Sequence, residues 1–534
     1  MAITMDGAEA IELARGLLPA WVGWVNFLLP IALAFLVSLV STWSAGTVAL
    51  RLVGDRPCEN WADRARRDFP VRRAIALCLV AISLGIGAMG SWFHGPLSPL
   101  PRAVFLWLVL TPAYGGGMLV LRRFSRRLGD GSLSPPDSWW RNFAVGLLVF
   151  VPSWLVTALV MTSIGNRPDA RAVMTLAAGA IATGFFAVGG GLLVLRRLGL
   201  AAPPSPRLAA IIERVSRRVG VQPRTTYEVR TSMANAFVFP ASGVLAFTER
   251  ALGVLDDDEV AAICAHELGH LAEPRLLHVI RCLEPYLLLP LGALPLVMTS
   301  FGARGTAAMV GAIIIASFAC RRFRRGREER ADRVAHAHQG EAGVYAHALE
   351  RLYRANRIPA VLGRRRGSHP ELYDRMAAAA AAPPYPRPLP PPRLPTVLGV
   401  LAGTAIAWLA AFALVAASAR VDRSRHDPAS RLWYVALHGE GAPELYQLAL
   451  ARWEEGNHVD AITLYRGAAA LAWRSVFYAT DLAVALAKDG QCDEATRAAA
   501  AARERLRRRP DRDGLRALRG AFSAAADCAG PARR

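Results

Sequence analysis

Leu255-Asp256-Asp257-Asp258-Glu259-Val260-Ala261-Ala262-Ile263-Cys264-Ala265-His266-Glu267-Leu268-Gly269-His270-Leu271 decides how the centre of this chain folds and what it can hold. The acidic residues from Asp256 to Glu259 ahead of an apolar run read as a helix N-terminus, where the dipole favours negative charge. Val260, Ile263, Cys264 and Leu271 keep helical spacing, and Pro274 ends the pattern. On such a helix His266 and His270 share one face and can grip one metal ion, a spacing that suits zinc. Glu267 is then placed to take a proton from water at the metal, the arrangement of a metal-dependent peptidase.

A zinc site of this kind needs a third protein ligand. Leu276 stands where a short metzincin-type motif would place another histidine, and Glu273, three residues past His270, is a fallback close to the same helix face. The better candidate is distant: in Arg327-Glu328-Glu329-Arg330-Ala331-Asp332 a second polar helix begins, with Glu328 and Asp332 on one face. Taken alone, that stretch reads more readily as a solvated, salt-bridged helix surface.

From about residue 205 to 376 the chain resembles the membrane gluzincin peptidases that include HtpX and the CAAX prenyl endopeptidases. The resemblance rests on four ordered places. Asn235-Ala236-Phe237 with Val244-Leu245-Ala246-Phe247-Thr248 comes first, then the capped HELGH helix, then Glu328 to Asp332 as an E-x-x-A-D element, and last Ser368-His369-Pro370 with Arg375. It implies a zincin-type α+β catalytic domain with one zinc ion per chain, held by His266, His270 and Glu328, with Glu267 as general base. His369 is then a candidate oxyanion stabiliser, and Asn235, Asp332 and Arg375 are candidates for orienting ligands or substrate. Val244 to Thr248 reads as a strand whose free edge would accept a peptide through main-chain hydrogen bonds.

The chain has 534 residues, 53% of them hydrophobic, and points to a membrane. We expect a mainly α, polytopic protein with about eight transmembrane helices, at 21–43, 74–93, 103–121, 142–164, 172–195, 286–302, 305–320 and 396–419. The two short segments at 286–320 read as a membrane hairpin between the HELGH helix and Glu328. A net charge of +21 raises the question of nucleic acid, but the arginines gather in alternate loops and not on one aromatic-rich surface. Arg51 to Arg73 and Arg122 to Arg141 mark two cytoplasmic loops and an outside N-terminus. The count then places the catalytic loops in the cytoplasm of a bacterial inner membrane and the C-terminal region in the periplasm. Lys488 is the one lysine among 63 basic residues, a bias that fits a GC-rich bacterial genome. The acidic N-terminus does not resemble a cleavable signal peptide.

The expected domains are a five-span membrane region at 1–200, the peptidase domain at 201–382, a stiff proline-rich linker at 383–395, a span at 396–419 and a helical module at 420–534. Within that module Gly456 and Gly490 stand 34 residues apart, as do Leu448 and Leu482, Ala461 and Ala495, and Ala468 and Ala502. This is the tetratricopeptide period, and we read two repeats with a capping helix at Asp513 to Cys528. Cys492 and Cys528 stand apart from the other cysteines, and an oxidising compartment would permit them to pair.

The partners expected are protein or peptide substrates, the lipid bilayer and a protein at the repeats. The leading reading is an endopeptidase for membrane or misfolded proteins. The alternatives are an inactive scaffold that anchors the repeats and a dedicated CAAX-type processing protease.

Overall fold

A computed structural model describes residues 5–54, 58–93, 102–128, 137–164, 168–363, 371–379, 381, 383–423, 441–472, 475–508 and 512–530. The chain divides into two compact units: residues 39–81 with 115–405, and residues 1–38 with 82–114 and 406–534. The only sheet among the described residues lies in the first unit. Its four strands are β1 (Ala201–Ala202), β2 (Thr225–Val229), β3 (Ala236–Phe239) and β4 (Val244–Thr248), in the order β1-β2-β4-β3.

β2 and β4 pair in parallel, while β3 and β4 form an antiparallel hairpin with Phe239 opposite Val244. The turn closes on Gly243, whose φ of 71° is open to glycine at little cost. Alternation along the strands separates two cores. Leu245 and Phe247 pack with Ala236 and Val238 toward the HELGH helix, whereas Ala246, Tyr227 and Val229 pack on the opposite face with Leu192 and Leu195. β4 is therefore an interior strand, which corrects the expectation of a free edge at Val244 to Thr248. β3 covers it, and the open edge belongs to β3.

Asp257–Leu271 is a helix with a reciprocal cap: Glu259 N–H donates to the Asp256 carboxylate, and Asp256 N–H donates to Glu259. Nearly every residue of it is buried. After it the chain runs through Arg275–Leu283 and shorter helical pieces into Leu294–His338. That last helix breaks at Gly302, with φ 64° and ψ −159°. Thr306 Oγ1 comes 3.6 Å from Met298 Sδ across the break, although a continuous helix would hold the two ~12 Å apart along its axis.

Among the described residues, four helices are long and apolar enough to cross a membrane, within Leu28–Val53, Ala170–Ala187, Leu294–His338 and Arg393–Leu414. Trp140–Phe150 and Pro152–Met161, bent by 82°, would make a fifth as a broken span. The expected spans at 74–93 and 103–121 fall on helices Trp61–Phe93 and Arg102–Arg127, whose side chains are only partly described.

In the second unit, helices Ala442–Glu454, His458–Leu471, Val476–Lys488 and Cys492–Arg508 form two successive pairs, followed by Arg512–Ala529. The turns within the pairs carry Gly456 and Gly490 at φ 81° and 80°. The N-terminal helix Met5–Leu17 lays Ala10, Ile11 and Ala14 into the core of the first pair, against Leu445, Leu464 and Ala468. Cys492 and Cys528 are joined as a disulfide with Cα atoms 5.4 Å apart, within the range a bridge requires.

Two outcomes test this packing. Purified and denatured without reductant, the protein should present five reactive thiols of its seven cysteines, and all seven after reduction, counted by maleimide mass shift. Seven without reductant would mean that Cys492 and Cys528 do not pair. Gly399→Leu should lower the thermal midpoint, because a Cβ at Gly399 would meet Ala45 O at 2.6 Å and overpacking costs about 1–3 kcal/mol.

Candidate metal centre

His266 and His270, one helical turn apart, hold their ring centroids 5.0 Å from each other. Helix Leu294–His338 crosses beside them closely enough that a Cβ on Gly269 would come 3.1 Å from Ala331 Cα. The glycine of the HELGH motif thus permits the contact that brings Glu328 to the histidines. Glu328 Oε2 lies 3.6 Å from His266 Nε2, and Oε1 lies 3.6 Å from His270 Nε2. One ligand atom from each of the three falls within 4.8 Å of the others. Glu329 turns away, exposed and paired with Arg325 at 2.9 Å.

What aims both Nε2 atoms at Glu328 is the set of groups behind the rings. Glu273 Oε1 lies 2.8 Å from His270 Nδ1 and is itself buried. Behind His266, Asp332 Oδ1 lies 3.1 Å from Nδ1 and the Tyr345 hydroxyl 2.7 Å from it. Tyr345 donates its only proton to Asp332 at 2.7 Å and accepts from Arg375 at 2.6 Å, while Arg375 also donates to Asp332. The arrangement closes if each histidine keeps its proton on Nδ1, which leaves both Nε2 lone pairs free for a metal. Burial disfavours charge on His266, but the Asp332 and Glu328 carboxylates outweigh it and hold its pKa up to about 9. Burial likewise opposes charge on Glu273, and the His270 contact nonetheless keeps its pKa below the ordinary carboxylate value. A pair of imidazoles so surrounded by carboxylates is built to accept positive charge, and two nitrogens with one oxygen suit zinc.

Glu267 is 8% exposed, beside this cluster. Asn235 precedes the open strand and is fixed by its backbone: its N–H donates to Thr248 Oγ1 at 2.9 Å and its carbonyl accepts from Thr248 N at 2.9 Å. That pairing turns the main-chain groups of Ala236 and Val238 away from β4, toward the open edge. His369 lies outside the described residues.

Three features were not anticipated from sequence. Glu273, expected as a fallback ligand, instead supports His270 from behind. Tyr345 is fully buried and central to the network, yet a tyrosine thirteen residues past Asp332 carries no motif that would single it out. Arg281 donates to Val238 O at 3.2 Å and so occupies one acceptor of the open edge.

Residues 203–382, about a third of the chain, match the family described as Peptidase family M48. The chain is similar to the "Protease HtpX homolog" of Thermoplasma volcanium, at 40% identity over 67 residues, 12% of this chain and 22% of that protein. It is similar to the protein of the same description in Acidiphilium cryptum, at 36% identity over 69 residues, 12% of this chain and 24% of that one. A third, from Trichormus variabilis, is 35% identical over 83 residues, 15% of this chain and 29% of its own length. The matched stretches thus span between 22% and 29% of these relatives, and over residues 203–382 the similarity is to a peptidase.

Proposed function

We propose that the chain is an integral-membrane zinc endopeptidase that hydrolyses peptide bonds of membrane or misfolded proteins. The observation that carries this reading is the convergence of His266, His270 and Glu328 ligand atoms within 4.8 Å, on a segment that matches a peptidase family. His266, His270 and Glu328 would hold one zinc ion, with Asp332, Tyr345 and Glu273 orienting the imidazoles. When bound there, zinc would supply Lewis-acid polarisation of the scissile carbonyl and favour deprotonation of the attacking water. Glu267 accepts the water's proton and passes it to the leaving amine. Asn235 and the open edge of β3 hold the substrate main chain, and His369 donates to the developing oxyanion. Arg281 has to release Val238 O if the substrate strand is to extend that far along β3.

The peptidase domain at 201–382 would face the cytoplasm, on the side of the arginine-rich loops. Packing of the N-terminal helix against the first helical pair supports a reading in which both lie on one side of the bilayer and the number of crossings is even. Eight spans meet that condition. An extracytoplasmic, tetratricopeptide-like module at 420–534 would bind a protein partner or present substrates, and the Cys492–Cys528 bridge favours an oxidising compartment for it.

Glu267→Gln should keep its zinc and lose roughly 10²–10⁴-fold in cleavage of an unfolded casein-type substrate, since an amide cannot accept the proton. Turnover equal to wild type would remove the assignment. Glu328→Ala should lose zinc outright. Glu273→Ala and Tyr345→Phe should keep full stoichiometry but release zinc to a competing chelator at about 10–100-fold lower chelator strength. Zinc retained in Glu328→Ala and absent from Glu273→Ala would exchange the two assignments.

A further inference from the structure

Helices Trp61–Phe93 and Arg393–Arg423 lie side by side and run in the same direction. A Cβ at Gly399 would meet Ala74 Cβ at 2.9 Å, and one at Gly403 would meet Cys78 Sγ at 2.5 Å, so four residues along one helix match four along the other. Thr396 Oγ1, which donates to Pro70 O at 3.3 Å, keeps the same register. Beside this seam is a cavity of about 420 Å³, closed on one side by Pro391 and Pro392 of the proline-rich segment.

The parallel register grades the lining of that cavity. By that register Arg73 starts level with Leu398, but its guanidinium reaches back to Phe69, which is level with Leu394, so its charge gathers at the Arg393 end. Leu77, Val397, Val400 and Leu401 follow one and two turns further on. The Arg73 guanidinium lies 5.8 Å from the Phe69 ring centroid, which also lines the cavity. At the apolar end Val397 and Leu401 are 51% and 57% exposed, so the cavity opens onto an apolar surface of a helix suited to cross a membrane.

We infer that this cavity binds an anionic phospholipid, with its phosphate between Arg73 and Arg393 and an acyl chain along Leu77, Val397 and Leu401. Guanidinium groups match phosphate oxygens in pairs, and basic pockets between membrane helices on the cytoplasmic side take anionic headgroups. A free phosphate compound would leave the apolar end uncovered. A zwitterionic lipid would bring its own cation toward two arginines. The cavity also includes Leu362, whose N–H donates to Glu371, four residues before Arg375.

The full-length protein in neutral detergent decides the matter through native mass spectrometry and thermal midpoints with phosphatidylglycerol, phosphatidylcholine or inorganic phosphate added. Phosphatidylglycerol should be retained at one per chain and raise the midpoint by several degrees, with little effect from the other two. Arg73→Ala/Arg393→Ala should lower retention by about tenfold or more, because the phosphate loses its charged hydrogen bonds. Leu401→Trp, which fills the apolar end and keeps both charges, should do the same and decides the question if the double variant fails to fold. An equal shift from phosphatidylcholine would show nonspecific lipid coverage, an equal shift from inorganic phosphate an anion site without a lipid, and undiminished retention in Leu401→Trp a site elsewhere. Each of these overturns the inference.

Discussion

An imidazole has two nitrogens, and this centre depends on both histidines turning the same one inward. His266 and His270 sit on one face of a buried helix, but a shared face does not choose between Nδ1 and Nε2. The choice is made behind the rings, by Glu273 for His270 and by Asp332 with Tyr345 for His266. These groups are buried, where a hydrogen bond is electrostatically stronger and an unpaired polar group costs more than in water. Tyr345 and Arg375 come from two further helices, Val344–Asn356 and Leu372–Ala378, so the packing of the whole domain converges on ring orientation. The close passage at Gly269 belongs to the same constraint, since a Cβ there would press on Ala331 and Val334 of the helix that carries Glu328.

The capped helix, its two histidines and the distant Glu328 and Asp332 were legible in sequence because each rests on local spacing or on an ordered motif. Glu273 was legible as a neighbour of His270 but not in its role. The i, i+3 step fixes nearness, and only coordinates show which ring nitrogen the carboxylate meets. Tyr345 left no trace in the pattern, because a buried tyrosine in a helix reads as ordinary core. The expectation of a free edge at Val244 to Thr248 failed for a topological reason: β4 lies between β2 and β3, and lateral order in a sheet is not written in the order of the chain.

The expected apolar runs fall on helical segments but do not mark their interruptions. The run expected at 172–195 divides at Gly189 into Ala170–Ala187 and Gly190–Arg197, and the one at 142–164 bends at Val151. Hydropathy measures how willingly a segment leaves water and says little about where its backbone turns. In the C-terminal region the opposite holds. A 34-residue interval between two glycines is a statement about turns, and both adopt the left-handed conformation within successive helical pairs.

The core contact between Met5–Leu17 and the first of these pairs joins segments far apart in the sequence, with Ala10 and Leu464 separated by 454 residues. During synthesis the apolar stripe of Ala10, Ile11 and Ala14 emerges 450 residues or more ahead of its partners Leu464 and Ala468. At the ordinary pace of translation that interval is on the order of tens of seconds. Helix Met5–Leu17 must therefore wait through that interval without the surface that buries it, sheltered by lipid or by a chaperone. Closure of this unit becomes a late event that waits for Leu464 and Ala468 to be made.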